Sequence, residues 1–170
     1  LEPADRFPRP GSSAAALIDA GTADFVWRAP DGSAVLTHWM AHGYGHGDMI
    51  ASGGLSRVMG LPTSWPDRRP GAVDRRVEGF LRDLRPLART PYRLLAIGFD
   101  FVRPVPGLVG LLDRWNERHH DATGTWLVNA GIDDHLDLVA AHRSSLPTVE
   151  LDPNPYWMGF YASRPNVKRM

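Results

Sequence analysis

Arg93-Leu94-Leu95-Ala96-Ile97-Gly98-Phe99-Asp100-Phe101 decides the fold class. Leu94 to Ile97 run without an alternating polar residue, the pattern of a strand covered on both faces in a parallel sheet. Upstream, Val73, Val77, Phe80, Leu81, Leu84 and Leu87 recur by threes and fours among Arg, Asp and Glu. That spacing predicts an amphipathic helix over 73–87, closed by Pro91. Downstream, 108–118 reads as helix and Thr125-Trp126-Leu127-Val128-Asn129-Ala130 as strand. A further helix is expected over 133–143, with Asp133 or Asp134 near its positive end. Strands alternating with helices give an α/β domain.

Toward the N-terminus, residues 1–13 are rich in Pro, Arg, Gly and Ser and have no period, so they read as loop. A short helix is expected over 14–20. Phe25-Val26-Trp27-Arg28-Ala29 and Ala34-Val35-Leu36-Thr37-His38-Trp39-Met40 are β-prone and separated by Pro30-Asp31-Gly32-Ser33, a turn sequence, so the pair predicts a hairpin. His42 to Gly54 is glycine-rich and reads as a loop whose backbone can approach another group closely. A second irregular stretch covers 62–70.

A chain of 170 residues buries one substantial core, either a single domain or a large piece of one. Lys plus Arg and Asp plus Glu number 19 each, and no block of like charge marks a nucleic-acid partner or an anionic membrane surface. No apolar stretch approaches the roughly 18 residues of a membrane span, and the opening Leu1-Glu2-Pro3 does not read as a signal peptide. Cysteine is absent, which excludes disulfides and thiolate metal sites and agrees with a reducing, cytoplasmic setting as the expected localisation.

Asp100 is the leading catalytic candidate, because parallel α/β folds build their sites at the C-terminal ends of strands. Phe99 and Phe101 provide the apolar surroundings that help a carboxylic acid hold its proton near neutral pH. The competing reading has Asp100 capping a turn or pairing with Arg103. Tyr44, on the glycine-rich loop, offers a ring face and a hydroxyl to a sugar; otherwise it is a surface tyrosine. His38, His42 and His46 recur every fourth residue, a spacing that aligns imidazoles for zinc only on a helix, and Gly43, Gly45 and Gly47 argue against a helix there. The six tryptophans offer stacking platforms for pyranose rings but are mostly expected to pack.

Tyr156-Trp157-Met158-Gly159-Phe160-Tyr161-Ala162-Ser163-Arg164-Pro165-Asn166-Val167-Lys168-Arg169 joins an aromatic platform to a helix start in which Ser163 is a natural N-cap and Pro165 is tolerated in the first turn. The run resembles the signature that opens the helical region of glycoside hydrolase family 38, the zinc-dependent retaining α-mannosidases. Leu94 to Phe101 is similar to that family's strand ending in Gly-x-Asp-Phe, whose Asp is the general acid/base. Trp27 to Ser33 with Val35 to Trp39, followed by Gly43 to Gly47, is similar to its Trp-x-x-Pro-Asp-Gly-Ser stretch and tyrosine-bearing loop. The matches fall in the family's order and span nearly the whole chain.

The resemblance implies the later part of a (β/α) barrel-like catalytic domain over 1–155 and the start of a helical domain over 156–170. It implies an α-mannoside as the carbohydrate substrate, Asp100 as acid/base and Tyr44 as a substrate contact. The family's nucleophilic Asp and its early zinc-binding motif have no match here. Zinc is therefore expected in an intact parent, no metal ligand is assigned to this chain, and the remainder of the parent polypeptide is the expected partner. By the same reasoning the chain is expected to be an excerpt, inactive alone. His119-His120-Asp121-Ala122 with Thr123-Gly124-Thr125 is similar to the family's last zinc-ligand motif, but it precedes the Ser-Arg-Pro run and is assigned to a helix end and turn. The reading from another class is a non-catalytic sugar-binding or scaffolding α/β module.

Overall fold

A computed structural model of the protein describes residues 12–51, 68–98 and 104–151. It is an α/β arrangement around a three-stranded sheet in the order β2-β1-β3. Strand β1 (Asp24–Arg28) pairs antiparallel with β2 (Ala34–His38), Asp24 opposite His38 and Arg28 opposite Ala34. The turn between them forms as its sequence predicts: Gly32 has φ of +87°, and Asp31 Oδ1 accepts from the Ser33 backbone N–H at 2.9 Å and from the Ser33 hydroxyl at 2.6 Å. The short strand β3 (Thr148–Val149) joins the other edge of β1 in parallel, and the Trp27 indole N–H donates to the Leu151 carbonyl at 3.0 Å. Flanked on both edges, β1 is buried from Asp24 to Val26.

The predicted first helix is α1 (Ser13–Asp19), capped by the Ser12 hydroxyl, which accepts from the Ala15 N–H at 3.2 Å. It ends before Gly21 at φ of +59°, where Arg89 donates to the carbonyls of Ala20 and Gly21.

The amphipathic helix is α2 (Pro70–Leu84), which buries Val73, Val77 and Leu84. It stops before the expected 87, and Pro86 rather than Pro91 is the reason: proline has no N–H to continue the ladder, and the chain tightens into a 3-10 turn over Arg85–Leu87. Helix α3 (Leu108–Thr123) extends past the expected 118 and ends at Gly124, whose φ of +65° lets its N–H close on the His120 carbonyl at 2.7 Å. Helix α4 (Ile132–Ala140) starts where Asp134 accepts from the Gly131 N–H at 2.8 Å, and a 3-10 turn (Arg143–Ser145) follows.

Trp115, 1% exposed, anchors the larger core, with Leu111 of α3, Val73 and Val77 of α2, and Ile50, Ala51 and Val105. Arg118 donates to Asp74 at 2.6 Å along the same seam between α2 and α3.

Two expected strands are not strands. Residues 92–98 and 125–130 form no regular element and belong to no sheet, and no closed barrel exists among the described residues. For the second stretch the reason is local. The buried Asn116 side chain donates to the Leu127 carbonyl and accepts from the Leu127 N–H, each at 2.8 Å, supplying both bonds that a neighbouring strand would provide. Leu127 packs inward against the core while Trp126 and Val128 are exposed. For the first stretch, Leu95 and Ile97 face the core rather than a sheet. Asp100, Phe99 and Phe101, the aromatic run 156–169, residues 1–11, Trp65 and the rest of 52–67 lie outside the described residues.

Because Trp115 is enclosed by residues from several segments, Trp115→Ala should lower the unfolding free energy by about 3–5 kcal/mol in a urea titration. Trp115→Phe, which keeps most of the volume, should cost clearly less.

Candidate functional site

Of the two candidate sugar-site residues, Tyr44 is described and Asp100 is not. Tyr44 is half exposed in the turn that follows β2, where Gly43 has φ of +70° and donates to the Met40 carbonyl at 2.7 Å. The loop then tightens into a 3-10 helix over His46–Ile50, an element the glycine content had not suggested. Within it, the Gly47 N–H donates to the Ala96 carbonyl at 2.9 Å. A Cβ at Gly47 would collide with that carbonyl and with the Ile97 side chain, so this approach requires glycine. The tyrosine-bearing loop is thereby fastened to the apolar run that leads toward Asp100.

A second constellation lies between the hairpin and α4. Asp24 opens β1 and His38 closes β2, so the antiparallel register sets them directly opposite one another. His38 Nδ1 lies 2.7 Å from Asp24 Oδ1, and His135 Nε2, from the first turns of α4, lies 3.1 Å from the same oxygen. The two rings meet edge to face with centroids 4.9 Å apart. The side chains of Asp24, His38 and His135 are 2%, 4% and 6% exposed, and the Thr22 hydroxyl donates to the Asp24 carbonyl beneath them.

Burial alone would push the Asp24 carboxyl pKa upward. Hydrogen bonds from His135 and then His38, reinforced by their charge, outweigh it and hold the pKa at about 2. In this surrounding Asp24 is a carboxylate at any ordinary pH, with both imidazole N–H groups donating to it.

The other histidines are taken up separately. His38 ends a strand and does not share a helix face with His42, which lies edge-on to the Phe80 ring at 5.6 Å. His119 and His120 lie near the C-terminal end of α3, as expected, and Asp121 to Thr123 continue the helix up to its cap at Gly124. His119 Nε2 is 3.1 Å from Asp74 and its ring stacks on Trp115; the His120 ring meets Trp126 edge to face at 4.8 Å. The helix-end assignment for this motif agrees with that placement.

Sequence reasoning overlooked Asp24 and His135. One signal was available: His135 lies four residues before the fully buried Val139, so it occupies the inward face of α4, where an imidazole needs a partner. No protein-family model, curated protein or solved structure matches the chain.

The lowered pKa fixes a pH dependence. The folded-state value lies below the ordinary 3.8, so the contribution is complete above about pH 4 and is lost as pH falls toward 2. The amount is about 2 kcal/mol. Urea unfolding in the presence of a chelator should show this loss for the natural chain, and Asp24→Asn should be less stable at pH 7 and lack that part of the acid dependence.

Proposed function

We propose that this chain supplies the acid/base part of a retaining glycoside hydrolase that acts on α-mannosidic bonds. The supporting observation is the bond from Gly47 to Ala96, which ties the Tyr44 loop to the segment running into Asp100. Two stretches chosen separately for sugar contact and proton transfer thus adjoin, about 50 residues apart in sequence. On this reading the described α/β unit is part of a barrel whose remaining strands belong to the rest of the parent polypeptide. The nucleophilic carboxylate belongs there too.

Retention requires two carboxyl groups about 5–5.5 Å apart. Asp100 protonates the glycosidic oxygen as its bond to the anomeric carbon breaks and the partner carboxylate bonds to that carbon. The Asp100 carboxylate then takes a proton from the water that displaces the enzyme ester, which returns Asp100 to its acid form. Tyr44 lines the sugar site through its ring or hydroxyl. Residues of the parent outside this chain would hold zinc in this reading, and the ion would supply Lewis-acid binding to sugar hydroxyls that helps distort the ring.

Asp100→Asn in the parent should reduce kcat on an aryl α-mannoside by about 10²–10⁴-fold without a change in thermal midpoint. The same substrate should not be turned over by the 170-residue chain alone. Full activity of the Asn variant would remove Asp100 from the mechanism and leave the sugar-binding module as the better account.

A further inference from the structure

We propose that Asp24, His38 and His135 form a binding site for a divalent transition cation of the zinc type, held by this chain itself and separate from any metal that acts on sugar.

The three side chains each present one donor atom, all within 4.8 Å of one another. They come from three elements: the first residue of β1, the last of β2, and α4. Strand register fixes the first two, and the packing of α4 on β2 fixes the third, so the donors converge without ordering a loop. Two imidazoles and one carboxylate form a donor set suited to zinc and its first-row neighbours, whereas calcium and magnesium favour oxygen ligands throughout.

The hydrogen-bonded geometry is close to that of a coordination shell. Metal bonds of about 2.0–2.1 Å keep tetrahedral ligand atoms roughly 3.3 Å apart. The observed spacings of 2.7 and 3.1 Å about Asp24 Oδ1 lie within about 0.6 Å of that value, and the remaining spacing is at most 4.8 Å. Binding the ion then requires the two rings to turn until the spacing between their donor nitrogens, at most 4.8 Å, closes toward that value. To bind the ion, each imidazole presents an unprotonated ring nitrogen inward in place of the N–H that donates to Asp24. Three protein ligands leave one tetrahedral position for water or an anion.

Such a site functions as a staple. It fastens α4 to the hairpin, and through β1 to both neighbouring strands, in a chain without cysteine. Its ligands are enclosed, which favours a structural ion over one exposed to substrate. The proposal stands apart from the glycosidase reading, since neither Asp100 nor Tyr44 takes part.

The test is metal uptake by the whole 170-residue chain after chelator treatment and dialysis. Zinc chloride titrated calorimetrically should give one ion per chain and raise the thermal midpoint; calcium and magnesium chlorides should do neither. Cobalt(II) should give the visible absorption of a four-coordinate nitrogen and oxygen site. His135→Ala and His38→Ala should each weaken zinc binding at least tenfold, whereas His42→Ala and His119→Ala should leave it unchanged. If the buried variants fail to fold, the natural chain still decides through its stoichiometry and cobalt spectrum. No uptake by the natural chain, a cobalt spectrum of the six-coordinate aquo type, or uptake that survives His135→Ala in a folded variant would overturn the site.

Discussion

A carboxylate 2% exposed is tolerable only where donors surround it, and Asp24 obtains its donors from two imidazoles on different elements. Removing an ion from water costs several kcal/mol even after the protein relaxes around it, so this position couples distant pieces of chain. The hairpin must pair in the register that sets residue 24 opposite 38, and α4 must lie where His135 reaches the same oxygen. A slip of one residue in β2 would turn His38 to the other face of the sheet. The polar cluster therefore specifies an arrangement that the hydrophobic faces alone would leave open to alternatives.

The apolar core acts elsewhere. Trp115 draws α2 and α3 together with Ile50, Ala51 and Val105, and Leu95, Ile97 and Leu127 pack on its border. It brings the 3-10 helix over His46–Ile50 beside residues 92–98, which is what allows Gly47 to bond Ala96. A second cluster packs Ala23, Ala41 and Trp39, from the chain just outside the two strands of the hairpin, against Leu87. One packing region thus sets the loop that carries Tyr44, and a polar one secures the hairpin that precedes it. Binding residues are often placed on loops in this manner, with precision supplied by the rigid scaffold underneath.

The hairpin, α1, α2 and α4 were legible because their signals are local: Pro30-Asp31-Gly32-Ser33 between β-prone runs, the alanine-rich segment 14–20, apolar spacing by threes and fours along α2, and Asp133 or Asp134 at the start of α4. The end of α2 was misjudged by overlooking Pro86 in favour of Pro91, although the chemistry of a missing N–H is the same. The runs 93–98 and 125–130 were harder. Apolar content says that a segment will be covered but not by what, and a strand exists only if another strand supplies its hydrogen bonds. For Leu127 those bonds come from the Asn116 side chain, and no pattern in the linear sequence reports that substitution.

By itself the sequence determined the α/β composition, the hairpin, the inward face of α2, and a glycine-rich loop over 42–54 able to approach other backbone closely. These follow from steric limits and periodicity, which act over a few residues. Tertiary structure decided that β3 completes the sheet in parallel, and that the partner of His38 is not His42 but Asp24 and His135, 14 residues before it and 97 after it in the chain. Those choices depend on which distant surfaces exclude water together. That exclusion raises the cost of a lone charge and so selects the donors that must meet it.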